Sequence, residues 1–276
     1  MDKKIVWIIA KKDIKSILAI KQIWLPMVIL PAVLCVLMPS VVVYLLQTDK
    51  FSAVNGLGQM LKLIGQIPGE AGETVRSLDN QESQVIYLFV NYMLPSLFLL
   101  VPVITSMLIA ANSFVGEKEK RTLESLLFSP IAIKDLFIGK MLAAFLPAIT
   151  LSLGGFLLSA IGINLLTYRQ FNGTLFLTVN WLMFVLLIVP SITILTILFN
   201  ILISARVKGF QEAQQLGGII VLPVIGLMLS QVSGLFFFSP IIILIIALLI
   251  IAGSAVLLWR IAKMNERHIL FEKQVH

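Results

Sequence analysis

Long apolar runs alternate with short polar breaks along this chain, and six of the runs are long enough to cross a membrane: residues 23–46, 85–115, 141–166, 174–203, 213–230 and 241–259. A helix needs about 20 apolar residues to span the hydrocarbon core. Only a helix or a closed barrel satisfies its backbone there. The pattern therefore predicts an all-α integral membrane protein with six transmembrane helices. Pro26, Pro31 and Pro39 interrupt the first run and predict kinks or an unwound entry. Gly154, Gly155 and Gly162 in the third run predict a face packed closely on protein. Of the breaks, 47–84 is long, Gly-rich and acidic, with a short surface helix suggested over 51–65. The others read as a turn at 167–173, a charged loop at 204–212 and a Gly- and Phe-rich break at 231–240. Residues 1–22 mix six lysines with Ile5, Trp7, Ile9, Ile14 and Leu18. A basic amphipathic helix on the membrane surface is the preferred reading, with Trp7 at headgroup level; a disordered positive flank is the alternative. A basic amphipathic tail, 260–276, ends the chain.

Composition strengthens the membrane reading. Of the 276 residues, 59% are hydrophobic and 13% charged, against about 45–50% and about 25% for soluble domains. The formal net charge of +7 would ordinarily suggest nucleic acid. In this setting an anionic membrane leaflet accounts for it, and no nucleic-acid partner is expected. Cys35 lies alone in an apolar run, and both histidines are in the tail, so no metal site or disulfide is indicated. The charged, lysine-broken N-terminus does not read as a cleavable signal. Placing the termini and the loops 116–140 and 204–212 on one side gathers 17 of the 21 Lys and Arg there. By the positive-inside rule that side is cytoplasmic. A multi-pass plasma-membrane protein with both termini in the cytoplasm follows, and six spans agree with it.

The six runs hold no Asp, Glu, Lys, Arg or His. Ion-coupled carriers and channels generally need ionisable groups or carbonyl filters in the membrane. No nucleophile elbow, zinc spacing or phosphate loop occurs; Gly139-Lys140 lacks both the upstream Gly and the following Ser/Thr. No catalytic residue and no cofactor are assigned to the chain, and energy for transport would have to arrive through another subunit.

The densest charge in the protein lies in 116–132, between the second and third runs. Glu117, Glu119 and Glu124 alternate with Lys118, Lys120 and Arg121, while Leu123, Leu126 and Leu127 keep helical spacing up to Pro130. A short amphipathic cytoplasmic helix is predicted. Its charges would either steady one another at i, i+3 and i+4 or dock a partner. The order Glu117, Glu119, Thr122, Glu124, Leu126, Leu127, Pro130, then Gly139 and Lys140 resembles the signature that follows the second span in ABC-2 permeases, the membrane subunits of ATP-binding-cassette exporters. Arg121 stands where that family commonly has Gly. The resemblance implies two permease chains, identical or related, around a central pathway. It also implies two cytoplasmic ATPase subunits that bind ATP and Mg, and a coupling role for the 116–132 helix. Leu123, Leu126 and Leu127 would then form an apolar anchor and the glutamates would accept from basic groups of the ATPase.

Other polar points are fewer. Asn91, Asn112, Asn164 and Asn200 would line a substrate pathway or, more commonly for membrane Asn, bond a neighbouring helix. Lys140 would cap the inner end of the third span or meet lipid phosphate. Phe236, Phe237 and Phe238 would anchor at the interface or close the pathway. The 47–84 loop reads as an ordinary surface loop or a small cap. An amphipathic or lipid-like cargo suits the apolar walls. The competing functional readings are a non-transporting sensor or scaffold that recruits a cytoplasmic protein, and, third, a secondary carrier or ion exporter.

Overall fold

The computed structural model describes residues 2–48, 69–78, 80–116, 132–171, 175–176, 178–207, 209–232 and 238–264. Among these there are eight helices and no strand. They are α1 (Lys3–Ala19), α2 (Lys21–Leu46), α3 (Gly69–Arg76), α4 (Gln81–Gly116), α5 (Ile133–Phe171), α6 (Val179–Ser204), α7 (Phe210–Gln231) and α8 (Pro240–Met264). All but α1 and α3 are long and apolar enough to cross a membrane, which gives the six spans expected. The surface helix suggested over 51–65 lies outside the described residues.

The spans alternate in direction, and side-chain contacts at their ends fix this. At one end, the near end, Lys140 at the start of α5 bonds Ser113 at the end of α4. At the far end, Gln47 after α2 donates to the Leu166 carbonyl late in α5, and Ser96 of α4 donates to Gln231 closing α7. Also there, Asn180 at the start of α6 donates to the carbonyl of Phe238, just before α8. The 39 residues of α5 make a rod of about 58 Å, far longer than a hydrocarbon core of about 30 Å. It therefore continues through Thr167–Phe171, where the polar side chains suggested a turn.

Proline leaves a specific mark on three spans. Each carries a π-turn that ends two residues before a proline: Ala32–Leu37 before Pro39, Phe89–Met93 before Pro95, and Phe184–Ile188 before Pro190. The residue preceding each proline reaches back five positions, Met38 to Val33, Leu94 to Phe89 and Val189 to Phe184. A proline ring crowds the carbonyl four residues back and offers it no N–H. Widening the preceding turn relieves that conflict while the helix continues. The first span is accordingly continuous, not unwound at its entry.

α4 is the centre of the molecule. Of its most apolar stretch 83% is buried, against 17% for α8. The other spans pack around it and turn their remaining apolar faces outward, as lipid-facing helices do. Toward the far end an aromatic cluster joins α4, α5, α6 and the segment between α5 and α6. Trp181 stacks on Phe176 at 4.4 Å and meets Phe98, Phe156 and Phe184 edgewise or tilted at 5.2–5.8 Å. Phe238 joins through Phe184 and is buried, which corrects its reading as an interfacial anchor; Phe236 and Phe237 lie outside the described residues.

Candidate functional site

The buried apolar residues of α1, Val6, Ile9, Ala10 and Ile17, fall at i, i+3, i+4 and i+11 and form one helical stripe. One charged residue, Asp13, falls in the same stripe and is equally buried. The stripe packs on α5, and the two helices run alongside each other in the same direction. Asp2 caps α1 by accepting from the Lys4 N–H at 2.9 Å, and its own N–H donates to Asp135 in the first turn of α5 at 3.0 Å. One turn on, Gly139 lies so close to α1 that an added Cβ would fall 2.8 Å from the Ile9 Cβ and 3.0 Å from the Val6 carbonyl oxygen.

Lys140, the next residue, is almost fully buried. Its ammonium donates to Asp13 Oδ2 at 3.1 Å, to the Ser113 carbonyl at 2.7 Å and to Ser113 Oγ at 3.3 Å. Ser113 Oγ in turn donates to Asp13 Oδ2. The ring of Phe114 lies 5.6 Å from the ammonium. Burying an ion pair is costly unless its remaining donors and acceptors are met. Here a hydroxyl and a carbonyl meet them. The Ser113 carbonyl belongs to the closing π-turn of α4, Asn112–Gly116, where carbonyls lack a helical N–H. Lys140 therefore caps the second span, not the third, and does not face lipid. Asp13, set among the six lysines of residues 1–22, is its counter-ion. The signal was available: an acid at i+7 in an apolar stripe calls for a cationic partner.

The junction has a particular address. Ser113 and Lys140 lie on the two stems of the charged segment 116–132, and α1 is locked to both. Glu117, Glu119, Thr122, Leu123, Glu124, Leu126, Leu127 and Pro130 themselves lie outside the described residues. Gly139 and Lys140 are within them, and both serve the junction with α1.

The four asparagines separate into two groups. Asn91 and Asn164 lie toward the far end. Asn91 donates to the Tyr87 carbonyl and accepts from Thr178, each at 3.3 Å. Asn164 accepts from the N–H groups of Leu175 and Phe176, so it shapes the connection between α5 and α6. Asn112 and Asn200 lie toward the near end, about 30 Å away at 1.5 Å per residue along their helices. Asn200 Nδ2 donates to the Thr196 carbonyl, and its Oδ1 has no hydrogen-bond partner among the described residues. That oxygen points at Gly217 of α7, where a Cβ would stand 2.7 Å from it and 3.0 Å from Met107 Cγ of α4. Gly217→Ala is therefore expected to lower stability by about 1–3 kcal/mol, read as a lower unfolding midpoint in detergent. Asn200→Ala should remove most of the penalty when combined with it.

No curated protein matches the chain. A model of the ABC-2 family transporter proteins matches residues 7–237, from α1 to the entry of α8. The match takes in the central α4, the α1 clasp and both stems of the charged segment. The chain belongs to the ABC-2 family and is a membrane-spanning permease component of an ABC transporter.

Proposed function

We propose that this permease forms the substrate pathway of an ATP-driven exporter and takes its energy from separate cytoplasmic ATPase subunits that dock on segment 116–132. The near end then faces the cytoplasm of a plasma membrane, with both termini on that side, as the lysine and arginine distribution favours. Two ATPase subunits bind ATP and Mg, and a second permease chain, identical or related, completes the pathway. The cargo is amphipathic or lipid-like, since the spans are apolar. Asn91, Asn112, Asn164 and Asn200 are the polar points available to it.

The observation that carries this reading is the Asp13–Lys140–Ser113 junction. Motion imposed on the charged segment reaches α4 through one stem and α5 through the other. The junction ties these stems to each other and to α1, so they move together with it. Glu117, Glu119 and Glu124 supply acceptors for basic groups of the ATPase, while Leu123, Leu126 and Leu127 supply the apolar anchor. Thr122 and Pro130 belong to the same proposed coupling segment.

Reversal of Glu119 and Glu124 to Lys tests the coupling. The double variant should weaken ATPase co-purification by roughly tenfold or more and lower permease-dependent ATP hydrolysis in parallel. A folded variant with wild-type ATPase binding and hydrolysis would remove the coupling role.

A further inference from the structure

A cavity of about 360 Å³ opens between α1, α2 and α5, apart from the junction and unused by the proposed coupling. Ile14 and Leu18 of α1, Trp24 and Val28 of α2, and Pro147 and Leu151 of α5 contribute to its walls. Its size falls in the range of small-molecule sites, about 300–1,000 Å³. Its lining is almost wholly apolar, and it is open on one side to whatever surrounds the helices. For a membrane-spanning chain that surrounding medium is lipid.

Three exposed lysines stand at helical spacing from residues that line the cavity. Lys11 precedes Ile14 by three residues, Lys15 precedes Leu18 by three, and Lys21 precedes Trp24 by three and Val28 by seven. Residues three and seven apart share a helix face, so each lysine stands next to a lining side chain. None of the three is in an ion pair among the described residues, unlike Lys12, which is 3.9 Å from Asp13. From Lys21, α2 descends into its apolar run past Trp24 and Val28. The cationic rim therefore lies at the water side of the cavity and the apolar walls lie deeper. Trp24, indole and apolar wall together, occupies the boundary that tryptophan favours.

We propose that this cavity holds an acyl chain of an anionic phospholipid, with Lys11, Lys15 and Lys21 meeting its phosphate. A zwitterionic lipid could fill the walls but would leave three lysines without a net anion. A hydrophobic peptide would not supply the charge at all. The bound lipid packs against Ile14 and Leu18, beside the α1 stripe that meets α5, and so braces the helix that clasps α4 and α5. The inference rests on the membrane-spanning fold alone. It does not depend on which side is cytoplasmic or on ATPase docking.

Tryptophan quenching tests it directly. The chain has four tryptophans; Trp7 and Trp259 are exposed and Trp181 is buried in the aromatic cluster. A Trp7→Phe/Trp259→Phe protein leaves Trp24 at the cavity and Trp181 as an internal reference out of lipid reach. In nanodiscs whose two leaflets have the same composition, acyl-brominated phosphatidylglycerol should quench Trp24 at lower mole fraction than acyl-brominated phosphatidylcholine. Roughly a fivefold preference is expected for each lysine engaged. Lys11→Gln/Lys15→Gln/Lys21→Gln should abolish the preference while both lipids still quench. Thr150→Phe, which fills the cavity, should reduce quenching by both lipids. Native mass spectrometry of the otherwise unaltered chain should show phosphatidylglycerol retained, and its loss in the triple variant. Equal quenching by both lipids in the parent protein would overturn the proposal. So would a preference that survives the triple variant, or the absence of quenching by either lipid, which would put a protein segment in the cavity.

Discussion

Lys140→Met is expected to destabilise the protein by about 3–5 kcal/mol, because it strands the buried Asp13 carboxylate without its counter-ion. Asp13 is buried where α1 faces α5; the Ser113 hydroxyl also donates to it, while the ammonium of the exposed Lys12, 3.9 Å away, is too distant to hydrogen-bond and does not replace Lys140. Asp13→Leu alone should cost a similar amount, since it leaves an ammonium buried against Phe114. The informative variant is the pair. Asp13→Leu/Lys140→Met replaces two buried ions with apolar groups of similar volume, an exchange that is often neutral. What it cannot replace is the donor to the Ser113 carbonyl, worth about 1 kcal/mol. Denaturation of the four proteins in mixed micelles should therefore return two large single effects and a double effect far below their sum. Additive single effects would mean that Asp13 and Lys140 do not act as a pair. If the junction also transmits motion from the 116–132 segment, the double variant should keep its fold yet lose ATP-dependent transport, since α1 would no longer be held to both stems by charge.

Much of this fold was legible because membrane insertion leaves a coarse record in sequence. Six apolar runs became six helices, since nothing but a helix of that length satisfies its backbone in lipid. Boundaries were less legible wherever a helix outruns the bilayer. Tyr168, Arg169 and Gln170 are polar because they stand in water or at the interface, and Thr167 is buried with its hydroxyl on the Ile163 carbonyl, yet all four are helical because α5 simply continues. Prolines announced irregularity but not its form. The wide turn before Pro39 keeps the first span hydrogen-bonded, where an unwound entry was one of the two expectations, and the same turn precedes Pro95 and Pro190.

The site was harder to read for a physical reason. Lys140 looked like an interfacial cation because it ends a polar stretch and precedes an apolar one. Its partner, Asp13, is 127 residues away, inside a helix whose lysines dominated the reading. Pairing across that separation depends on how α1 lies on α5, and periodicity within a single segment does not carry that information. The aromatic cluster has the same character: Phe98, Phe156, Phe176, Trp181 and Phe238 come from four parts of the chain. Gly139 and Lys140, quoted at first as part of a family pattern, now have separate physical tasks. Gly139 lets α1 approach, and Lys140 binds what then arrives.

That division of tasks makes Gly139→Val the second large expectation. A Cβ at 139 would meet the Ile9 Cβ at 2.8 Å, its Cγ2 at 2.9 Å and the Val6 carbonyl oxygen at 3.0 Å. The last of these is backbone, so no rotamer change relieves it and α1 must move as a unit. Overpacking of this kind costs about 1–3 kcal/mol by itself. Displacement of α1 would also stretch the contact between Asp13 and Lys140, carrying the total toward the roughly 3–5 kcal/mol of a broken buried pair. Gly139→Ala should show the milder, overpacking part. Trimming Ile9 to Ala should rescue only a fraction of either, because the Ile9 Cβ and the Val6 carbonyl remain. Limited trypsin cleavage at Lys11, Lys12 and Lys15 reports the helix directly and should accelerate in Gly139→Val. Combined with Lys140→Met, the valine should add little further, since α1 can be released only once. Wild-type cleavage and an unchanged unfolding midpoint in Gly139→Val would show that α1 does not depend on close approach at this glycine. The clasp would then rest on the ion pair alone.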